Sequence, residues 1–149
     1  MEILNYSLIA LITALGLICG AVIGYFAKEE LNPGKKYFVW LQKLLFTLAI
    51  VFLMYANRTN IHYMWAGGLI IFIYLYYYEK MRHAITYAFL AFVFFLASLT
   101  GMFLPVSASI FLYSFPTGSL VLKNKKEITI CVISFLVIAL ILFFINQKF

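Results

Sequence analysis

Charge is almost excluded from the long apolar stretches of this chain. It carries eleven Lys or Arg and five Asp or Glu among 149 residues, and all but Lys43 stand at the ends of uncharged runs or in the gaps between them. A helix of ~20 apolar residues just spans the ~30 Å hydrocarbon core of a bilayer. Six runs of about that length follow one another: Ile3–Ala27, Tyr37–Ala56, Ile61–Tyr78, Ala84–Leu104, Val106–Leu122 and Ile128–Ile145. The chain therefore reads as all-α, a polytopic transmembrane helical bundle in one membrane domain with six segments. At 66% hydrophobic and 11% charged it lies far from soluble domains, which run at ~25% charged. The first run lacks a basic flank and a small-x-small cleavage signal, so it reads as a retained helix rather than a signal peptide.

The stretch from Ala84 to Leu122 holds 39 residues without a charge. As one helix it would reach ~58 Å, about twice the hydrocarbon core. Backbone left irregular against lipid would strand unpaired amides. The stretch must cross twice, or cross once and re-enter. Thr100, Gly101 and Pro105 mark the turn, and Pro116 marks a fifth segment that could be broken or re-entrant. Basic residues near span ends gather on the cytoplasmic side. A double crossing puts Lys28, Lys35, Lys36, Lys80, Arg82, Lys123, Lys125 and Lys126 on one side, eight against two, Arg58 and Lys148. Without the return the division is six to four. The first arrangement fixes both termini outside, in a multi-pass protein of the cell membrane. Asn32, Pro33 and Gly34 predict a turn between the first two helices. Trp40 and the tyrosines at 74 and 76–78 form an aromatic belt at the inner side.

The candidate functional residues are few. Gly16, Gly20 and Gly24 repeat every four positions on the first helix, a spacing that places them on one face. Such a glycine zipper lets another backbone approach closely, within one subunit or between subunits. Lys43, beside Gln42, is the intramembrane cation. It can snorkel to the inner headgroups or hold an anionic group. The fifth segment concentrates Ser107, Ser114, Pro116 and Thr117; these line a pathway or bond their own helix backbone. The eight basic residues of the inner side face anionic lipid headgroups.

Several chemistries lack their residues. No Asp occurs and no acid lies inside any run, which argues against aspartyl proteolysis within the membrane and against a carboxylate proton relay. The two cysteines and two histidines have no metal-ligand spacing, and no phosphate-binding glycine loop is present. We therefore expect no catalytic residue, metal or cofactor, and no nucleic-acid partner. The sequence reads as a non-enzymatic subunit or accessory of a membrane protein assembly, with a membrane-protein partner or a homo-oligomer in the bilayer. The alternative is a small oligomeric transporter or channel, and the third reading is an enzyme that modifies lipid headgroups.

Overall fold

The computed structural model describes residues 2–57, 59, 61–77, 83–122 and 124–148. Among them lie six helices and no strand: α1 (Ile3–Phe26), α2 (Lys28–Ala56), α3 (Ile61–Tyr77), α4 (His83–Ser98), α5 (Phe103–Val121) and α6 (Lys125–Lys148). Four of these, α1, α2 from Pro33 onward, α5 and α6, are long and apolar enough to cross a membrane. The helices α3 and α4 are apolar but shorter.

Contacts between helices fix their directions. Gly16, Gly20 and Gly24 of α1 meet Phe111, Phe115 and Ser119 of α5 in the same order, so these two helices run parallel. Gln42 and Phe46 of α2 meet Thr117 and Tyr113, in reverse order, so α2 opposes α5. Trp40 touches Phe72, and Val51 lies against Gly68, so α3 opposes α2. Tyr87 meets Ser114 and Phe94 meets Phe103, so α4 opposes α5. Tyr6 of α1 meets Ala139 and Phe143 near the end of α6. Direction thus alternates along the chain, as short connections require. One end, which we call the basic end, gathers the end of α1, the starts of α2, α4 and α6, and the end of α5.

The helix α5 sits in the middle, packed mainly between α1 and α2 and also against α4. It buries a larger share of its length than α1, α2 or α6. Polarity is arranged inversely to a water-soluble protein. Thr13, Gln42, Thr86, Ser107, Ser109, Ser114, Thr117 and Ser119 are buried. Leu4, Leu8, Leu11, Leu15, Ile18 and Val22 line the outside of α1, and Ile130, Ile133, Val137, Ile141 and Phe144 line that of α6. A continuous apolar exterior of this kind is stable against lipid and not against water. The protein is a membrane protein built as a helical bundle.

Three sequence expectations are corrected here. The turn expected at Asn32, Pro33 and Gly34 is absent: α1 ends at Phe26, Ala27 stands between the helices with φ −97° and ψ 29°, and residues 28–36 already belong to α2. Pro33 lies inside that helix. Its ring removes one donor, near an exposed end where water or headgroups can solvate the freed carbonyl. The surrounding Lys, Glu and Leu are good helix formers. Second, the uncharged stretch turns at Thr100 and Gly101 as expected, but the helix before the turn ends short of Leu104 and Pro105 lies beyond it. The helix α4 stops at Ser98 and α5 restarts at Phe103. The hydroxyls of Ser98 and Thr100 donate to the carbonyls of Phe95 and Ala97, at 2.6 and 2.8 Å, competing with continuation of the helix. Pro105 falls in the first turn of α5, where a missing N–H costs nothing. Third, the fifth segment is not broken. Pro116 sits within a continuous helix. Thr117 and Ser119 just beyond it return hydroxyl bonds to the carbonyls of Tyr113 and Phe115.

Candidate functional site

The chemistry of this bundle lies where α5 meets α1, α2 and α4 in the half nearer the basic end. The first element is the α1–α5 seam. A Cβ on Gly16 would lie 2.6 Å from the Phe111 carbonyl oxygen, and one on Gly24 would lie 2.8 Å from the Ser119 Cα. A Cβ on Gly20 would strike the Phe115 carbonyl, with the Ser114 carbonyl 2.8 Å away. The seam is reciprocal: Gly118 of α5 fits against the backbone of Leu17 and Ala21. The hydroxyl of Ser119 donates across it to the carbonyl of Gly20 at 2.8 Å. The glycine face is therefore filled by α5 of the same chain, and a second subunit would have to meet other faces.

The second element is a buried polar cluster. The Gln42 side-chain amide donates to the Thr117 hydroxyl at 2.7 Å. Thr117 in turn donates to the Tyr113 carbonyl at 2.9 Å. The Tyr87 hydroxyl donates to the Ser114 hydroxyl at 2.9 Å, and Ser114 in turn donates to the Ile110 carbonyl. Ser114 and Thr117 are fully buried. The rings of Tyr87 and Tyr113 lie 5.9 Å apart, and Cys131 is buried in the same core. Of the residues singled out by sequence, Gln42, Ser114 and Thr117 are thus brought together beside Pro116. Ser107 is not: it lies two turns back and donates to the Phe103 carbonyl. Lys43 is half-buried on α2, and its backbone carbonyl accepts the Thr47 hydroxyl at 2.9 Å.

The cluster's chemistry is modest. It contains hydroxyls, an amide and a thiol, with no carboxylate and no guanidinium. Among the described residues no group of three or more His, Cys, Asp or Glu is placed to hold a metal ion. Inside a membrane each such bond replaces an alternative partner in the unfolded, lipid-embedded chain, so its value is small. Gln42→Leu and Thr117→Val should show a coupling of about 0.6–1.7 kcal/mol in a double-mutant cycle of unfolding in mixed micelles. Additive single effects would show that the bond contributes no stability.

Lys35, Lys36, Lys125 and Lys126 are exposed at the basic end. Lys36 places its ammonium 5.0 Å from the ring centre of Tyr37. The side chains of Lys28, Lys80, Arg82 and Lys123 lie outside the described residues.

His83, just before the apolar run of α4, faces the same end. Its Nδ1 is buried without a hydrogen-bond partner. Burial lowers its pKa, and the carboxylate of Glu127 pulls weakly the other way. The neutral ring is therefore favoured in the folded state. Below the ordinary histidine value of ~6.5 the unfolded chain binds the proton first, so stability should fall as pH drops through that range. A His83→Gln variant should show a flatter pH dependence of unfolding, and an unchanged slope would remove His83 as its source.

Sequence reasoning missed Tyr6, Tyr87 and Tyr113, whereas Ser119 belongs to the polar set that the fifth segment displays. The signal was present for one of them. Tyr113 lies in the middle of its apolar run rather than in the belt at an end, and a buried phenol needs a partner.

No family model matches this chain, and no match is found among the curated proteins or the solved structures.

Proposed function

We propose that this chain crosses the bilayer six times with both termini on the outer face, and that it serves as a non-enzymatic subunit or accessory of a membrane protein assembly. The observation that carries this reading is the engagement of the polar side chains of α5 inside the bundle. Ser107, Ser109, Ser114, Thr117 and Ser119 all donate to backbone carbonyls. A helix so occupied works as a central packing post, and what remains for contact is the apolar exterior and the basic end. The alternating helix directions support six crossings. The excess of basic residues on one side supports the orientation. Anionic headgroups at that side and a membrane-protein partner, or further copies of the chain, are the partners this arrangement suits.

The alternative, a small oligomeric transporter or channel, would use Lys43, Gln42, Ser114 and Thr117 as its path. That path would have to open the bonds from Gln42 to Thr117 and from Tyr87 to Ser114.

Native mass spectrometry of the chain released from its own membranes in mild detergent tests the assignment. A membrane protein bound at fixed stoichiometry is expected. Ion or solute flux in liposomes that contain this chain alone, lost in Gln42→Leu, would overturn it in favour of transport. Single cysteines at positions 59, 80 and 124, in a background with Cys19 and Cys131 replaced by Ser, report topology. An impermeant thiol reagent applied outside should label position 59 only, and labelling of position 80 or 124 would remove the six-crossing arrangement.

A further inference from the structure

The helix α3 packs chiefly against α2 and leaves a lengthwise groove between the two. The groove has a volume of about 550 Å³ and is lined by Thr47, Val51, Trp65, Gly68, Leu69 and Phe72. That size suits a single hydrocarbon chain or a drug-sized apolar ligand. Its floor is low because Gly68 brings the α3 backbone against Val51: a Cβ there would sit 2.8 Å from a Val51 methyl. Trp40 stands outside the groove toward the basic end, its ring centre 6.2 Å from that of Phe72.

Lys43 lies one helical turn from Thr47, on the same face of α2 and on the side of the basic end. Helix side chains lean toward the helix N-terminus, so the lysine stem runs away from the groove and toward Lys36. The groove centre, between Thr47 and Val51, lies ~9 Å along α2 from Lys43. The stem carries the ammonium roughly another turn, ~5 Å, outward. A stem extended that way would put the cation ~14 Å from the groove centre, close to half of the ~30 Å hydrocarbon core. This is the separation between the phosphate of a membrane lipid and the deep part of its chain.

We infer that the α2–α3 groove is a binding site for one anionic membrane lipid, its chain lying over Gly68 between Val51 and Trp65 and its phosphate held by Lys43. Charge complementarity selects the anionic headgroup, and the apolar lining selects the chain. Lys35 and Lys36 at the same end add to the field that draws such a lipid in. The site rests on the reading that α3 crosses the bilayer, which the cysteine at position 80, between α3 and α4, tests by itself.

The two tryptophans of the chain allow a direct measurement. A Trp40→Phe variant of the full chain leaves Trp65 as the sole indole. It is reconstituted in vesicles of phosphatidylglycerol and phosphatidylcholine, with the chains of one or the other lipid brominated. Brominated phosphatidylglycerol should quench Trp65 with a preference of about fivefold over brominated phosphatidylcholine. Lys43→Gln should bring the preference close to unity, while Lys125→Gln with Lys126→Gln should leave it in place. Equal quenching by both lipids, or a preference that survives Lys43→Gln, would overturn the site. So would loss of the preference on adding inorganic phosphate, which would mark a headgroup site without a chain. A disulfide-linked dimer formed through Ala66→Cys in a Cys19→Ser background would put a second copy in the groove and overturn it as well. With position 59 labelled and positions 80 and 124 shielded, a negative quenching result bears on the lipid site alone.

Discussion

Gly20→Leu is expected to separate α1 from α5 and to cost the bundle about 3 kcal/mol or more. At this position the obstacle is backbone: Phe115 Cα would lie 2.7 Å from the new Cβ, and the Ser114 carbonyl 2.8 Å. Side chains can change rotamer, but a helix backbone in contact along its length can only move away as a unit. That movement would also break the bond from Ser119 to the Gly20 carbonyl. Gly118→Ala should act in the same direction, because its Cβ would lie 2.7 Å from the Ala21 nitrogen. Gly101 supplies the control. Nothing stands within 4 Å of a Cβ placed there, so Gly101→Ala should stay within about 0.5 kcal/mol of the parent chain. Unfolding by sodium dodecyl sulfate in mixed micelles, followed by circular dichroism, measures all three. A Gly20→Leu chain as stable as the parent would show that the α1–α5 seam does not hold the bundle.

Tyr6→Ala should cost about 2–3 kcal/mol, near the low end of aromatic truncations. Tyr6 is fully buried at the end of the bundle opposite the basic end. Its ring stacks on Phe143 at 4.3 Å and on Phe103 at 5.9 Å, and meets Phe94 edge-on at 5.2 Å. The hydroxyl donates to the Ala139 carbonyl at 2.9 Å. One side chain of α1 thereby ties α4, α5 and α6 together. The unfolded chain rests in lipid, which is as apolar as this core, so the transfer term is small and the cavity and the lost ring contacts account for the effect. Tyr6→Phe should lose only the hydrogen bond, about 0.6 kcal/mol. The same unfolding assay separates the two, and equal losses would assign the effect to the hydroxyl.

The sequence carried the membrane character of the chain and its helical class through a strong physical signal: the cost of charge in hydrocarbon keeps Lys, Arg and Glu out of the runs. It carried the glycine face for the same kind of reason, since a spacing of four is one face of any helix. Helix ends were less legible. Pro33 and Gly34 resemble a turn in isolation, yet the helix formers around them and one tolerable missing donor keep the segment helical. Pro116 resembles a break, yet it removes one donor, that for the Leu112 carbonyl, and the packed helix continues through it. In both cases the surrounding helix tolerates a local loss, which a window of sequence does not show.

The buried cluster was half legible. Gln42, Ser114 and Thr117 stood out as polar letters in apolar runs. Their partner Tyr87 did not, because tyrosine is ordinary in membrane segments and its role depends on which helix it faces.

What the sequence by itself determined is the solvent of this protein and the rough lengths of its helices, because burial of charge and hydrogen bonding of the backbone in lipid are local costs paid residue by residue. What only the tertiary structure decided is which helix stands in the middle and what each polar group touches. Gln42 and Thr117 are 75 positions apart, and Ser119 and Gly20 are 99 apart. The meeting of Ser119 with Gly20 depends on how closely α1 and α5 can approach, and that distance is set by glycines on both helices together rather than by either helix alone.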